Sequence, residues 1–341
     1  MTLAVVLLAA GKGKRMLSKT QKILHEVGGK PMVQHVFETA VSVADMPPIL
    51  VVGPDETGVQ DLLGDGAKYV VQPEALGTGH AAQMAAPSAD GRSDQVIVTY
   101  GDMPLLRAET LRRQAALQAE TGAAVVMLSM MGDASSTFGR VVRDENGRII
   151  EIVEVANARQ RPSADELLAI SEQNVGVYCF DADWLWHNIH NLPLRQARSG
   201  HEYYLTDMIE MAVQQGRLVE AIVVDDADEG LGAGTRAEMV AVEKAFRRRA
   251  NAHWLDNGVT LIDPNTIYID PDVTIGQDTI IWPNTYLQGK TTVGTDCVIG
   301  PNSIIRNATI GSHCRAEQVV VDGVAVADGT VIRPFSYLSD R

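Results

Sequence analysis

The sequence has 341 residues, of which 45% are hydrophobic and 21% are charged, and its formal net charge is −14. These values are typical of an ordinary globular protein, and the length predicts two domains. The acidic balance excludes nucleic acid and an anionic membrane as main partners, because both require a basic surface. A small anionic ligand that binds in a local basic pocket is compatible with the acidic net charge.

The cysteines and the N-terminus indicate the compartment. The apolar stretch at the N-terminus is too short to span a membrane, and no basic region precedes it as in a signal peptide. It is predicted to be a buried first strand. Because the cysteines are far apart and show no CxxC spacing, we expect neither disulfides nor a zinc site. This cysteine usage predicts that the protein is located in a reducing cytoplasm. The three cysteines are Cys179, Cys297 and Cys314.

Residues 1 to about 227 alternate between short β-rich runs and helix-like stretches. Strands are predicted at 3–10, 48–53, 67–72, 95–102 and 123–130, and helices at 32–44 and 109–122. Strands that are apolar on both faces and alternate with helices predict a parallel α/β sheet. In such sheets ligands bind beyond the carboxyl ends of the strands.

The stretch LAAGKGKRM (8–16) follows the first predicted strand. Its glycines would let backbone N–H groups approach a phosphate, and a following helix would present its positive end. Lys12, Lys14 and Arg15 would add positive charge. A flexible, solvated turn is the alternative interpretation of the same residues.

Two later stretches also follow predicted strands. In QPEALGTGHA (72–81), the amide of Gln72 can read a base edge, and Gly77 to Gly79 would let a planar ring lie against the backbone. The alternative is a flexible loop before a helix. In TYGDMPLL (99–106), Asp102 is suited to a magnesium ion that bridges phosphates, or else is a turn or helix N-cap residue.

The last ninety residues have a different periodicity. A polar helix is predicted at about 235–256, and its arginine run (247–249) is interpreted as a solvated helix face. Beyond it, aliphatic residues recur at every sixth position, which predicts a hexapeptide-repeat parallel β-helix of about four coils, left-handed as in this class. These residues are Ile269, Ile275, Ile281, Leu287, Val293, Ile299 and Ile305 and, after a phase slip near Ile310, Val320, Val326, Ile332 and Leu338.

Together these motifs resemble those of the sugar nucleotidyltransferases. The similarity is greatest to the bacterial bifunctional N-acetylglucosamine-1-phosphate uridyltransferase/glucosamine-1-phosphate acetyltransferase family. It implies a Rossmann-like nucleotidyltransferase domain (1–230), a helical linker (231–258) and a short left-handed β-helix (259–341). The matching stretches are LAAGKGKRM (8–16), QKILH (21–25), GGKPMVQHV (28–36), QPEALGTGHA (72–81), YGDMPLL (100–106), FGR (138–140), IVE (152–154), NVGVY (174–178), EYYLTD (202–207) and the hexapeptide region.

The resemblance implies that UTP and N-acetylglucosamine 1-phosphate form UDP-N-acetylglucosamine, a cell-wall precursor, and pyrophosphate. The sugar phosphate would attack the α-phosphorus in line, so catalysis would consist of positioning and charge stabilisation. Arg15 and Lys22 would neutralise the triphosphate, and Asp102 would bind Mg²⁺. The implied nucleotide-binding residues are Ala10, Gly11, Gln72, Gly77 and Thr78. The implied sugar-phosphate-binding residues are Gly139, Glu154, Asn174 and Thr206.

The sequence departs from the family pattern at three positions. Gln21 replaces a proline before the lysine that matches Lys22. Val175 replaces a threonine after Asn174, which removes a hydroxyl near the sugar. Gly234, in GLGAGTR (230–236), replaces the asparagine that is the family's second protein ligand of magnesium. Nearby carboxylates, Thr235 or water could take its place.

The family's β-helix continues for about a hundred residues beyond the point that matches RPFSYL (333–338), so no acetyltransferase activity is expected of this chain. The coils present are expected to form a homotrimer. Two alternatives stay open at this stage. The chain could use another sugar (glucose 1-phosphate) or nucleotide (dTTP), or it could be a catalytically weak regulatory subunit that binds sugar nucleotides.

Overall fold

The structure is a computed structural model that describes residues 1–54, 56–197 and 200–340. By compactness the chain divides into two units. One comprises 1–25 and 32–238, and the other comprises 26–31 and 239–341. No helix in the described part of the chain is both long and apolar enough to cross a membrane.

The elements that precede the repeat region follow in chain order. They are β1 (Leu3–Leu8), β2 (Glu26–Val27), β3 (Lys30–Pro31), α1 (Met32–Val43), β4 (Ile49–Val52), α2 (Gly58–Leu63), β5 (Lys68–Val71), α3 (Thr78–Met84), α4 (Ala86–Ala89), β6 (Gln95–Tyr100), α5 (Ala108–Thr121), β7 (Val125–Met131), β8 (Arg140–Arg143), β9 (Ile149–Val153), α6 (Val155–Ala158), α7 (Ala164–Ala169), β10 (Glu172–Asp181), α8 (Ala182–Asn188), β11 (Leu194–Ala197), β12 (Gly200–Tyr203), α9 (Asp207–Gln214), β13 (Val219–Val223) and α10 (Arg236–Asp256).

The first unit is built on a sheet of nine strands with the central order β13-β7-β10-β6-β1-β4-β5. Its core strands are apolar on both faces, and apolar clusters cover each side of the sheet. Strands β1, β4, β5 and β6 run parallel, as predicted. Their carboxyl ends therefore meet at one edge of the sheet.

The sheet is not parallel throughout, and this part of the prediction is wrong. Strand β10 runs antiparallel to both of its neighbours, β6 and β7, and β8 and β9 form an antiparallel extension. The apolar pattern specifies that a strand is buried on both faces but not its direction. A register shift in β10 lies between Asn174 and Tyr178, so the strand bends next to the predicted sugar-binding residues.

The second unit contains a left-handed parallel β-helix, as the hexapeptide pattern predicts. Its short strands form three ladders, one on each face, and the inward aliphatic residues make one continuous core. The strands are β14 (Thr260–Leu261), β15 (Tyr268–Ile269), β16 (Thr274–Ile275), β17 (Ile280–Ile281), β18 (Tyr286–Gln288), β19 (Thr292–Val293), β20 (Val298–Ile299), β21 (Ile304–Arg306), β22 (Thr309–Ile310), β23 (Arg315–Ala316), β24 (Val320–Asp322), β25 (Ala325–Val326), β26 (Val331–Ile332) and β27 (Tyr337–Ser339).

One inward position of the β-helix was predicted wrongly. Val321, not Val320, is fully buried and pairs with Ile305 in the ladder. The preceding inward residue is Ala316, which the aliphatic count passed over. The error has two causes. Some corners of the coil are one residue shorter, so the spacing between inward residues is five instead of six, as between Ala316 and Val321. The inward residue at 316 is also a small alanine, which a search for large aliphatic residues does not detect.

Candidate active site

The carboxyl ends of four parallel strands bring the predicted nucleotide-binding stretches to one edge of the sheet. The N–H of Gly101, after β6, donates to the carbonyl of Leu8 at the end of β1 (3.1 Å). On the other side of β1, the N–H of Gln72 donates to Val52 at the end of β4 (2.8 Å). The segments that begin at Ala9, Gln72 and Gly101 therefore leave neighbouring strands at a common edge, where ligands of α/β sheets bind.

The segment after β1 is an open loop followed by a 3₁₀ turn, Lys14–Met16, so the expected helix does not follow it directly. A turn of three residues has little dipole, and that contribution to phosphate binding is absent here. Gly13 and Leu17 adopt positive φ angles on either side of the turn. Met16 is buried and anchors the turn, whereas the side chain of Arg15 is exposed.

Around Gly11 the backbone is open. A Cβ atom on Gly11 would have no other atom within 4 Å. Ala10 is half-buried and Gly11 is exposed. This arrangement leaves room for a ligand close to the main chain at the two positions that the sequence assigns to the nucleotide.

Lys22 and Asp102 form an ion pair between Nζ and Oδ2. Both side chains are largely shielded, with 19% and 16% of their surfaces exposed. Such shielding strengthens the attraction between the two charges. The structure thus joins the predicted triphosphate-binding lysine to the predicted metal-binding carboxylate.

Gln21, one of the departures from the family pattern, ties Lys22 to the first loop. Its Nε2 donates to the carbonyl of Ala9 (3.0 Å). The φ angle of Gln21 is −54°, within the range of a proline. A side-chain hydrogen bond therefore connects the segment of Lys22 to the end of β1.

The segment that contains Gly234 lies beside Asp102. The N–H of Ala233 donates to the main-chain carbonyl of Asp102 (3.1 Å). The space that a side chain at position 234 would occupy borders the guanidinium of Arg15. A carboxylate oxygen of Glu238 accepts the N–H of Gly234 (2.7 Å). This segment therefore places Arg15 on the same side of the site as Asp102.

The glycine-rich loop before α3 is a supported structure rather than a flexible connection. Gln72 is buried and its Nε2 donates to the carbonyl of Gly77 (3.1 Å). Gly77 has a φ angle of +100°, and a Cβ atom there would lie 2.5 Å from the carbonyl oxygen of Tyr203. Thr78 Oγ1 accepts the N–H of Leu205 (3.0 Å). The loop is thus held against the 203–205 segment.

The predicted sugar-phosphate residues come together at the β8–β9–β10 extension. The carbonyl of Gly139 accepts the N–H of Asn174 (2.8 Å), and a Cβ atom on Gly139 would lie 3.3 Å from Oε1 of Glu154. The carboxamide of Asn174 is directed inward, because its Nδ2 donates to Tyr178 Oη (2.7 Å). Thr206 and Glu154 line one cavity of about 150 Å³.

Tyr100 is a residue that the motif search did not single out. Its hydroxyl is hydrogen-bonded to Thr78, and burial, with the charges of Glu154 and Asp102, raises its pKa far above the usual value. It is therefore a neutral phenol, and its ring lies against Gly176, where a Cβ atom would be 2.9 Å from Cε2. Its sequence signals are its position at the end of β6 and its place as the first residue of the YGDMPLL stretch (100–106).

The carboxyl group of Glu154 is in an unfavourable environment for ionisation. Burial, followed by the charge of Asp207, raises the pKa of Glu154. Asp207 in turn pairs with Arg195 on β11 (3.1 Å). A raised pKa favours the protonated carboxyl group, which donates as well as accepts hydrogen bonds and suits the hydroxyl groups of a sugar.

Val175, another departure, faces the apolar core. It is 4% exposed, and a Cβ atom on Gly230 would lie 3.2 Å from its Cγ2. Its side chain belongs to a cluster with Val177 and Cys179. The packing explains why an apolar residue is accommodated here.

The protein-family comparison matches both parts of the chain. Residues 5–182 match the model of the MobA-like NTP transferase domain, and residues 272–307 match the bacterial transferase hexapeptide (six repeats). The chain is 41% identical to the bifunctional protein GlmU of Exiguobacterium sibiricum over 339 residues, which are 98% of this chain and 73% of that protein. The chain belongs to the GlmU family. It is a sugar-1-phosphate nucleotidyltransferase, as the resemblance predicted.

Further relatives agree with the GlmU assignment. GlmU of Carboxydothermus hydrogenoformans is 40% identical over 334 residues, covering 98% of this chain and 73% of that protein. A solved structure of a putative glucose-1-phosphate thymidylyltransferase from Bacillus anthracis, in complex with sucrose, superimposes with a TM-score of 0.56. It is 22% identical and covers 71% of this chain and 94% of that one, so it supports the fold alone.

The fit of a magnesium ion rests on Asp102. Mg²⁺ is commonly bound by one or two carboxylates, with substrate phosphates and water as the other ligands. Asp102 provides one carboxylate at the strand edge, whereas the neighbouring 232–234 segment has no side-chain oxygen. In the described residues no group of three or more His, Cys, Asp or Glu side chains could hold a metal without a substrate. The donor set fits a magnesium ion that arrives with a nucleotide.

Proposed function

We propose that this chain transfers the uridylyl group of UTP to N-acetylglucosamine 1-phosphate, giving UDP-N-acetylglucosamine and pyrophosphate. The observation that carries the proposal is the position of Tyr100. Its ring lies against Gly176, two residues from Asn174, and the charges of Glu154 and Asp102 both act on its pKa. This position supports a single site shared by the nucleotide, the metal and the sugar.

The chemistry follows from charge and position. A phosphate oxygen of the sugar phosphate is already an anion and attacks the α-phosphorus without a general base. Lys22 and Arg15 lie on the side of Asp102, where they neutralise the charge of the departing pyrophosphate. The backbone at Ala10 and Gly11, with Gln72, holds the uridine.

The sugar side of the proposed site is the β8–β9–β10 extension. Gly139, Glu154, Asn174 and Thr206 surround the N-acetylglucosamine 1-phosphate. Glu154 provides a carboxyl group for the sugar hydroxyls. Asn174 fixes the strand bend through its bond to Tyr178. This arrangement orients the attacking oxygen toward the nucleotide side.

Magnesium is part of the proposal. Asp102 would hold it, and the ion would supply charge neutralisation between the phosphates. The chain's own contribution is to present Asp102 with Lys22 as its counterion. With a cation held by Asp102, Lys22 would be available to bind the phosphates.

A substrate panel tests the proposed function. The protein is incubated with Mg²⁺, either UTP or dTTP, and either N-acetylglucosamine 1-phosphate or glucose 1-phosphate, and pyrophosphate release is measured. We expect the highest kcat/KM with UTP and N-acetylglucosamine 1-phosphate, and no release in EDTA. Preference for dTTP or glucose 1-phosphate would contradict the substrate assignment. Substrate binding without turnover would favour a regulatory subunit.

The β-helix is proposed to mediate a homotrimer, because stacked coils of this kind present long flat faces for symmetric association. Acetyl transfer is not part of this proposal, and the expectation of its absence stays a prediction. The soluble substrates are compatible with the cytoplasm that the sequence indicates.

A further inference from the structure

Arg140 is a fully buried arginine to which the proposed function assigns no role. It is the first residue of β8, follows Gly139 in the FGR motif, and is 0% exposed. Burial of a guanidinium is costly unless its N–H groups find partners. The partners that it contacts therefore indicate which part of the structure it stabilises.

The side chain donates four hydrogen bonds, all to main-chain carbonyl groups. Nη2 donates to Ala134 (2.9 Å) and Ser136 (3.1 Å), Nη1 to Phe138, and Nε to Leu168 of α7 (3.4 Å). Three of these carbonyls lie in the loop between β7 and β8. The planar guanidinium, with donors in fixed directions, thus holds that loop in one conformation from the inside.

Arg140 also occupies the centre of a row across three antiparallel strands. It pairs in register with Val153 of β9 and with Gln173 of β10. Gln173 adds a further restraint on the same loop, because its Nε2 donates to the carbonyl of Asp133 (2.8 Å). The adjacent row, one residue along each strand, holds three of the four residues that the sequence assigns to the sugar phosphate: Gly139, Glu154 and Asn174.

We propose that Arg140 is a positioning residue for the sugar phosphate, an inference that rests on the proposed function. By fixing the β7–β8 loop and the central strand of the row, it sets the distance of Gly139 from Glu154 and Asn174. Its hydrogen bonds involve none of the residues of the 72–78 segment or the Lys22–Asp102 pair. Its loss therefore affects the sugar phosphate and leaves UTP binding intact.

The test compares Arg140→Met and Arg140→Lys with the wild-type protein. The methionine replaces the aliphatic part of the side chain but donates no hydrogen bond, and the lysine keeps the charge without the planar set of donors. For Arg140→Met we expect the KM for N-acetylglucosamine 1-phosphate to rise by at least about 10-fold, with the KM for UTP changed by less than about 2-fold. Arg140→Lys should show a smaller increase with the same selectivity.

Arg143→Met is the matched control. Arg143 lies on the same strand, but its guanidinium pairs with Glu172 (2.7 Å) and bonds the carbonyl of Gly147, outside the β7–β8 loop. We expect both KM values of this variant to match the wild type. Amide hydrogen exchange provides a second readout, and faster exchange at 134–138 is expected in the Arg140 variants only.

The outcomes separate the role of Arg140 from the proposed function. If the wild type is active and the KM values of the Arg140 variants rise equally for both substrates, or for neither, the role of Arg140 is overturned. A wild type that turns over no sugar phosphate overturns the proposed function itself. If Arg140→Met does not fold, the selectivity of Arg140→Lys against Arg143→Met decides the question.

Discussion

At the scale of single residues, the ion pair between Lys22 and Asp102 dominates the candidate site. Two largely shielded side chains of opposite charge attract each other and hold each other in place before any ligand arrives. When a triphosphate binds with its cation, the contact between Lys22 and Asp102 would be replaced by two others. Lys22 would bind a phosphate, and Asp102 would bind the cation. The pair therefore preorganises both charges for the proposed reaction.

Replacement of Asp102 tests this role. Because the carboxylate acts on charge that develops during transfer, Asp102→Ala should lower kcat by about 100-fold or more while UTP affinity changes by only about 3-fold. Steady-state kinetics and calorimetric titration with UTP measure the two effects. An unchanged kcat would refute the metal role of Asp102.

Gln21 leads to a second prediction. Its amide bond to Ala9 connects the Lys22 segment to the first loop. Gln21→Ala should raise the KM for UTP by about 5-fold, the worth of a typical hydrogen bond. Gln21→Pro should be close to wild type, because the φ angle of −54° already suits proline and a rigid backbone restrains the same segment. Equal losses in both variants would contradict this explanation.

Glu154 gives the candidate site a pH dependence. Its pKa is raised in the folded protein, so folding favours the protonated form, and ionisation at higher pH lowers the free energy of unfolding. Glu154→Gln should therefore be more stable than the wild type at pH 8, and this advantage should shrink as the pH falls through the raised pKa and be lost below the ordinary pKa of a glutamate. Thermal unfolding at several pH values measures it. The same variant should bind N-acetylglucosamine 1-phosphate more weakly.

At the scale of elements, loops that follow parallel strands are given fixed shapes by contacts with later parts of the chain. The glycine-rich loop before α3 rests on the 203–205 segment, through Thr78 and the close approach of Gly77 to Tyr203. The loop between β7 and β8 is fixed by Arg140 and Gln173. Neither constraint is visible in the local sequence pattern.

Gly77→Ala tests the rigidity of the glycine-rich loop. A Cβ atom at a φ angle of +100° and 2.5 Å from a carbonyl oxygen must displace the loop, so UTP affinity should fall by about 10-fold. Gly91→Ala is a suitable control, because Gly91 also has positive φ but no atom near its Cβ position. It should share any general cost of backbone strain and keep its affinity for UTP.

The sequence specified the elements more completely than their contacts. Two patterns have direct physical causes: strands that are apolar on both faces, and aliphatic residues at every sixth position. The strands predicted at 48–53 and 67–72 agree with the structure within one residue at each end. The direction of β10 was not predicted, because burial does not encode strand direction. Tyr100 was not recognised, because a tyrosine at a strand end is an ordinary sheet residue until its neighbours are known.

At the scale of the whole molecule, the chain combines an α/β sheet unit that holds the candidate site with a β-helix unit whose core is separate. The β-helix core is a column of aliphatic side chains, one from each face of each coil. Such a column gains stability from contacts between neighbouring coils only. Its proposed role in trimer formation depends on the integrity of that column.

Ile299→Ala tests this dependence. Ile299 is fully buried within the column, so the substitution should lower the free energy of unfolding by about 3 kcal/mol. If the flat faces of the coils form a trimer, light scattering should give three times the chain mass for the wild type and weaker association for the variant. A wild type that stays monomeric at high concentration would contradict the trimer.

The two kinds of strand pairing also differ in how far apart the partners are along the chain. Ile281 pairs with Ile299 and Ile299 with Ala316, partners 18 and 17 residues apart, whereas Leu3 pairs with Gln95, 92 residues away. The contact order of the β-helix is therefore low for a β structure, and its coils can form by stepwise growth from any nucleus. The sheet can form only after long loops of the chain have closed, because its strands are distant in the sequence. We expect refolding to proceed in two phases, with the β-helix acquiring structure before the candidate active site exists.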